Sequence, residues 1–185
     1  MGRQYFVESI WHATESGTAV ANTTTETTLF PVITIPANFL RDGRLLRVTA
    51  IGQYSTTGTP TMLFSIRLGG AAGTLVCKSA ACTTPSGVTA AVWKVEALLQ
   101  VRTNGSSGTV MGNGIATVCA AVAGTVASAT GEGLVTPMTQ GGVVTPATAT
   151  VDFTANQDLV VTITWGTASA SNTITGLNLL VEAVN

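Results

Sequence analysis

The stretch RLLRVTAIGQYSTTGTPTMLFSIRLGG, from Arg44 to Gly70, decides the fold class of this chain. Apolar or small residues recur at every second position, which is the pattern of β-strands that bury one face. The predicted buried face holds Leu46, Val48, Ala50, Gly52 and Tyr54 on the first limb, and Met62, Phe64, Ile66 and Leu68 on the second. Between the limbs, Ser55 to Pro60 include a glycine and a proline, which favour a turn. The stretch therefore predicts a β-hairpin with a long loop.

The same alternation recurs along the chain between turn signals. The longest candidate strand is Val88 to Thr103, for which a helix over residues 88–99 is the alternative, because Ala, Glu and Leu favour helices. Its predicted buried face holds Trp93, Val95, Ala97, Leu99 and Val101. Further strands are predicted at Gly17–Ala21, Thr24–Ile35, Thr74–Ser79, Thr109–Ala120, Ala147–Phe153, Asp158–Trp165 and Thr173–Val184. In Asp158–Trp165, we expect Val160, Thr162 and Thr164 to face solvent.

Eight to ten short strands with regularly spaced turns predict an all-β fold, an antiparallel β-sandwich of the jelly-roll type. We expect residues 16–185 to form one domain and residues 1–15, which show no clean period, to form an N-terminal arm. The glycine-rich stretch Ala121–Thr145 is expected to be a long loop or a pair of edge strands. The predicted core includes Leu46, Val48, Phe64, Ile66, Trp93, Val95, Val161, Ile163, Trp165 and Leu179.

Charged residues are scarce in this chain. They make up 9% of the 185 residues, the net charge is −1 and the mean hydropathy is +0.43. Without a basic patch we expect neither a nucleic acid nor a membrane as a partner. An apolar chain with little charge is poorly soluble as a monomer. The composition therefore predicts a homo-oligomer, with a trimer as the expected state and with the arm and Ala121–Thr145 contacting neighbours.

The nucleophiles and metal ligands do not form a recognisable catalytic or metal motif. A Ser-His-Asp or Cys-His site would depend on the single histidine, His12. Three cysteines, Cys77, Cys82 and Cys119, do not make a disulfide framework and are too few for a zinc site with one distant histidine. We expect them to be small apolar fillers, with a Cys77–Cys82 disulfide as the alternative.

Carboxylates and tryptophans give no stronger signal of a catalytic or sugar-binding site. Asp42 lies in a predicted turn, and Asp152 and Glu96 lie on outer strand faces, although a glycosidase-like pair stays open because spacing in three dimensions is not fixed by sequence. Two of the three tryptophans, Trp93 and Trp165, are expected in the core rather than stacked on a sugar. The sequence therefore predicts a protein that is not an enzyme, with no catalytic, cofactor-binding or metal-binding residues.

Several segments, which together cover about half of the chain, resemble a group of small structural proteins of tailed-bacteriophage virions. The segments are Ile35–Phe39 with Gly43–Arg44, Arg47–Ala50, Tyr54–Thr61, Arg67–Gly70 and Thr164–Ile174. Members of this group have a jelly-roll fold, and some decorate capsids. No part of the resemblance covers Ala121–Thr145.

The resemblance implies a virion structural protein, in particular a capsid decoration (cement) protein that binds and stabilises the assembled head. Its partner would be the major capsid protein, and it would be made in the host cytoplasm and lie on the phage head surface. The alternative is a head-fibre or tail module that binds a host-surface glycan through its loops. An enzyme acting on cell-wall polymer is disfavoured, because no acid–base constellation is evident.

Overall fold

The computed structural model describes residues 7–119, 134–141 and 146–184, and every regular element in these ranges is a β-strand. The strands are β1 (Val7–His12), β2 (Val20–Ala21), β3 (Thr27–Thr28), β4 (Ile33–Ile35), β5 (Leu45–Thr56), β6 (Thr61–Leu68), β7 (Thr74–Ser79), β8 (Cys82–Thr83), β9 (Val88–Thr103), β10 (Gly108–Val118), β11 (Leu134–Thr139), β12 (Thr148–Val151), β13 (Gln157–Trp165) and β14 (Thr173–Val184). Four of them have only two or three residues. The predicted all-β class is confirmed.

The strand order is that of a jelly roll. All pairs are antiparallel, in the order β1-β14-β5-β9-β10-β11-β7-β6-β13-β3, with β4 beside β13. The front sheet contains β1-β14-β5-β9, and the back sheet contains β4-β13-β6-β7. If these eight strands are renumbered along the chain, the two orders are 1-8-3-6 and 2-7-4-5, which is the double Greek key of a jelly roll. Strands β10, β11 and β12 are inserted before β13 and extend the front sheet towards β7.

The central hairpin predicted over Arg44–Gly70 is wrong, although its two strands exist. β5 pairs with β14 and β9, whereas β6 pairs with β7, β8 and β13. The loop between them carries the chain from the front sheet to the back sheet. Alternation specifies which face of a strand is buried but does not specify its neighbours. The two apolar faces therefore meet across the core instead of lying side by side.

The core lies between the two sheets, and all ten predicted core residues are buried. Trp93 on β9 is fully buried, with its ring centroid 5.0 Å from that of Phe64 on β6. The rings of Phe30 and Trp93 pack in an edge-to-face arrangement, with 6.3 Å between their centroids. Because Trp93 belongs to the front sheet and Phe64 to the back sheet, this aromatic cluster joins the two layers.

The prediction that Val160 and Thr162 of β13 face solvent is wrong, because both side chains are buried. Thr162 Oγ1 donates a hydrogen bond to Glu26 Oε1 at 2.6 Å. Arg67 binds both carboxylate oxygens of Glu26, with its Nε at 2.7 Å and its Nη2 at 2.8 Å. A half-buried polar network therefore covers this part of the back sheet, which a single-strand pattern cannot reveal.

We expect Glu26→Gln to lower the free energy of unfolding at pH 7 by about 1–2 kcal/mol, because Arg67 would lose its charged partner. Burial alone would raise the pKa of Glu26, but the hydrogen bonds from Arg67 and Thr162 and the positive charge of Arg67 hold that pKa below 4.5. A lowered pKa in the folded state stabilises the protein above the unfolded-state pKa, and this stabilisation is lost as pH falls through the folded-state pKa.

Urea unfolding at several pH values tests this prediction. The difference in stability between the wild type and Glu26→Gln should narrow as the pH is lowered through the acid range. Asp42→Asn, which changes an exposed carboxylate, serves as the control and should stay close to the wild type at every pH. A difference for Glu26→Gln that does not change with pH would contradict the prediction.

Candidate functional site

The solvent-facing side of the extended front sheet, formed by β1, β14, β5, β9, β10 and β11, is the candidate functional site and is called the outer face below. Strand alternation and register place its side chains in rows across the sheet. One row runs Glu182, Arg47, Leu98, Asn113 and Thr139; the next runs Leu180, Thr49, Glu96, Ile115 and Pro137; a third runs Asn178, Ile51, Lys94, Thr117 and Val135.

Exposed apolar side chains concentrate on the outer face. The large exposed hydrophobic residues in the described ranges are Val7, Val32, Val92, Leu98, Ile115, Leu134 and Val135. All except Val32 and Leu134 lie on the outer face. The exposed fractions reach 55% for Val92 and 63% for Val135. Scattered exposed apolar residues are ordinary, but a group on one flat face is typical of a protein-contact surface.

The charges on the outer face neutralise each other locally. Arg47 Nη1 lies 3.3 Å from Glu182 Oε2, and Lys94 Nζ lies 2.8 Å from Glu96 Oε1. Because these ion pairs are substantially exposed, each contributes little to stability. The three rows named above therefore carry two positive and two negative charges, and the exposed Arg102 near the end of β9 adds a further positive charge. The part of the outer face on β10 and β11 has no charged side chain at all.

A shallow groove of about 460 Å³ crosses the middle of the outer face. Its lining residues are Arg47, Glu96, Ala97, Leu98, Asn113, Gly114 and Ile115. Gly114 lines the groove through its backbone, so β10 contributes main chain as well as side chains to it. A Cβ atom at Gly114 would point to the buried side of the sheet and lie 2.8 Å from the Cβ of its register partner Ala97.

The titratable candidates of the sequence do not come together as a site. His12 is exposed on β1, Asp42 is exposed in a turn and Glu96 pairs with Lys94. Asp152 is also exposed, and it accepts hydrogen bonds from the backbone N–H and the hydroxyl of Thr154 at 2.9 and 2.6 Å. Within residues 7–119, 134–141 and 146–184, no group of three or more His, Cys, Asp or Glu residues could hold a metal ion. The absence of catalytic and cofactor-binding residues remains a prediction.

Cys77 and Cys82 are not joined by a disulfide, so the alternative of a Cys77–Cys82 bond is not realised. Burial raises the pKa of Cys77 to about 12, and burial also raises the pKa of Cys82. Both side chains therefore stay protonated and weakly nucleophilic near neutral pH. This environment agrees with the expected role of Cys77 and Cys82 as apolar fillers.

The two buried tryptophans are unavailable to stack on a sugar, since Trp93 and Trp165 are 0% and 1% exposed. Trp11 is partly buried and packs against the core. A tryptophan platform of the kind that many sugar-binding proteins present to a glycan is therefore not formed by these residues.

Two segments that carry the family resemblance, Tyr54–Thr61 and Thr164–Ile174, meet at one end of the sandwich. The backbone N–H of Gly166 donates a hydrogen bond to the carbonyl oxygen of Thr61 at 2.8 Å. A cavity of about 310 Å³ opens between them, lined by Thr57, Gly58, Thr59, Pro60, Thr167, Ser169 and Asn172. The lining of this loop-end cavity includes hydroxyl and amide side chains together with a proline, and it contains no aromatic residue.

The outer face was not among the predicted sites, although the sequence contains a signal for it. Leu98 falls on the polar side of β9, and Ile115 falls on the solvent-facing side of β10. Apolar residues at such positions are candidates for contact with another protein. What the sequence lacked was the register that places these two side chains in adjacent rows.

No protein-family model and no curated protein matches the chain. Among solved structures, the chain is similar to the CBM2 module of the evolved Dit of Lactobacillus casei BL23 phage J-1, with 13% identity, a TM-score of 0.37 and 98% of each chain covered. A TM-score this low supports no conclusion about this chain.

None of the residues that the structure describes belongs to a helix long and apolar enough to cross a bilayer.

Proposed function

We propose that this protein is a structural protein of a tailed-phage virion, and specifically a capsid decoration (cement) protein that binds the assembled head. The observation that carries the proposal is the outer face, a broad and partly apolar sheet surface whose central charges are paired, which suits a lasting contact with another protein. The sequence segments that resemble small jelly-roll virion proteins support the assignment to a phage. The proposed partner is the major capsid protein, and the proposed location is the head surface.

The mechanism of reinforcement is mass action. A subunit that binds the assembled lattice, but not its dissociated parts, stabilises the lattice by about 2.7 kcal/mol per site at a free concentration one hundred times the Kd. A homotrimer would make several contacts at once and so bind with higher avidity than a monomer. The ion pairs of the outer face leave little net charge, so adhesion should depend only mildly on salt.

We expect heads that carry the protein to survive heating and chelation better than heads from which it has been removed, and re-addition of the purified protein should restore resistance. Measurement of DNA release against temperature checks this expectation. A reconstruction of the virion should show many copies at a symmetry axis of the head. Equal resistance of stripped and intact heads, or copies found only at the tail, would overturn the assignment as a cement protein.

The loop-end cavity favours a second candidate function, a head-fibre or tail module that binds a host-surface glycan. Its hydroxyl-bearing lining, with Ser169 and the buried Asn172, could hydrogen-bond to sugar hydroxyls. The experiment is binding of the purified protein to host cell-wall polysaccharide. Binding that is lost in Asn172→Ala and kept in the wild type, with copies at the tail, would favour this function over the first.

A further inference from the structure

We infer that Asn104 is a modification site, at which the side-chain amide is converted to a carboxylate by cyclisation onto the backbone and hydrolysis. Asparagine is followed by glycine at two places in the chain, Asn104-Gly105 and Asn113-Gly114. Glycine has no Cβ atom, so its backbone nitrogen is the least hindered nucleophile that can follow an asparagine. The structure exposes one of these pairs and holds the other in a sheet. The inference does not depend on the proposed function.

The reaction needs water as its only co-reactant. The backbone nitrogen of Gly105 attacks Cγ of Asn104, its proton passes to the departing amide nitrogen, and ammonia leaves a cyclic imide (succinimide). Water then adds to a ring carbonyl and opens the ring. Opening at Cγ gives aspartate, whereas opening at the former backbone carbonyl gives isoaspartate, in which the main chain runs through Cγ. Nothing is oxidised or reduced, and an amide NH2 has been exchanged for OH.

The peptide unit between Asn104 and Gly105 is free to reach the geometry that cyclisation needs. It lies in the loop between β9 and β10, where the Asn104 side chain is exposed. Neither the N–H of Gly105 nor the carbonyl oxygen and side-chain amide of Asn104 has a hydrogen-bond partner among the described residues. A Cβ atom built on Gly105 would meet no other atom within 4 Å. The nitrogen can therefore approach Cγ without breaking a hydrogen bond.

The change should stay within this loop, because contacts on both sides of the reacting unit hold the hairpin. The carbonyl oxygen of Gly105 accepts hydrogen bonds from the backbone N–H groups of Gly108 at 3.2 Å and Phe153 at 3.0 Å. The hydroxyl oxygens of Thr103 and Thr109 lie 2.8 Å apart at the base of the loop. Modification therefore adds one negative charge to a folded chain whose net charge is −1.

The second asparagine–glycine pair is an internal control. Asn113 is exposed, as Asn104 is, so water reaches both side chains. Gly114, however, lies within β10 and is paired with Ala97 of β9 and Met138 of β11. In a strand with a neighbour on each side, the backbone N–H and C=O groups belong to the ladders. The nitrogen of Gly114 therefore becomes available only when the strand opens locally.

The test follows both asparagines while the purified, folded protein is incubated at mildly alkaline pH below its thermal midpoint. Cleavage at methionine separates them, because Met111 lies between them. Mass spectrometry then detects the exchange of NH2 for OH, and an isoaspartate methyltransferase labels the isoaspartate product. We expect Asn104 to react at least about 10-fold faster than Asn113, because only Gly114 must first leave a ladder. Isoelectric focusing should show an early acidic species that is missing in Asn104→Gln, whose longer side chain cyclises more slowly.

The same incubation in guanidinium chloride separates the effect of the fold from that of the sequence. In the unfolded chain both glycine nitrogens are released from the structure, so the two rates should converge. Equal rates in the folded protein, or an Asn104 that stays intact when folded but reacts when unfolded, would overturn the inference. A rate difference that persists unchanged in the denaturant would also overturn it, because the flanking residues and not the β9–β10 loop would then set the rate.

Discussion

Trp93→Ala is expected to lower the free energy of unfolding by about 3–5 kcal/mol, the typical cost of removing a buried aromatic side chain. The indole is fully buried, and it packs against Phe64 of the back sheet at 5.0 Å and against Phe30 at 6.3 Å. Its removal leaves a cavity where the two layers meet, and the rigid strands around it cannot collapse fully. Since domains are stable by only about 5–15 kcal/mol, this single change should remove a large part of the total. Urea unfolding followed by far-ultraviolet circular dichroism measures the effect.

The control is Val92→Ala, at the next residue of β9. Its side chain is 55% exposed on the opposite side of the sheet, so the change should stay within about 0.5 kcal/mol. Trp93→Phe should be intermediate, because it keeps an aromatic ring and removes an indole Nε1 that is buried without a hydrogen-bond partner among the described residues. A cost for Trp93→Ala as small as that for Val92→Ala would mean that the aromatic cluster does not hold the layers together.

The bounds of three strands could be predicted from sequence because turn residues and alternation mark them. The prediction placed strands at Thr74–Ser79, Val88–Thr103 and Thr173–Val184, and β7, β9 and β14 begin and end at these residues. The burial pattern of β9 also excludes the helix alternative over residues 88–99. Period and turn chemistry are local properties, and so a single sequence carries them.

Strand neighbours could not be predicted in the same way, as the central pair shows. β5 pairs with β9 and β14, which lie far away in the chain, and not with β6, which follows directly. The choice of neighbour depends on the relative burial of all the strands, and no window of sequence contains that information. The predicted hairpin failed for this reason, while both of its buried faces were correct.

Two alternatives were predicted for Ala121–Thr145, a long loop or a pair of edge strands. Its described part contains β11, which pairs with β10 over six residues and with β7 over two. Residues 120–133 and 142–145 lie outside the described residues, so both alternatives for them stay open. β11 contains Pro137, although proline cannot donate a backbone hydrogen bond to a ladder. Proline is tolerated in a strand only where the neighbouring strand does not need a backbone N–H donor at that position.

Because strand neighbours and register could not be predicted, the outer face was not predicted as a site. Sequence alternation places Leu98 and Ile115 at solvent positions of their strands, but an isolated exposed apolar residue carries no information. Their meaning comes from the β9–β10 register, in which Leu98 is opposite Asn113 and Ile115 is opposite Glu96. This register places the two side chains in adjacent rows of the same sheet face.

Gly52→Ala is expected to destabilise the protein by about 3 kcal/mol, at the upper end of the usual cost of overpacking. Gly52 of β5 lies opposite Gly176 of β14 on the buried side of the front sheet. A Cβ atom at Gly52 would lie 2.5 Å from the indole ring of Trp93 and would clash with the backbone carbonyl oxygen of Thr175. The backbone oxygen cannot move without breaking the β5–β14 ladder. Neighbouring Gly176 is crowded by Phe30 in the same way, with 2.6 Å from its own hypothetical Cβ to Phe30 Cε1.

Urea unfolding of Gly52→Ala beside Gly58→Ala tests this account of the core. Gly58 lies in the loop between β5 and β6, and a Cβ atom there would meet no other atom within 4 Å. The control should therefore be neutral, or stabilised by up to about 1 kcal/mol through the reduced entropy of its unfolded chain. Equal stability of the two variants would contradict the prediction. It would show that β14 can shift away from β5, and that the paired glycines are not required to seat Trp93 and Phe30 between the layers.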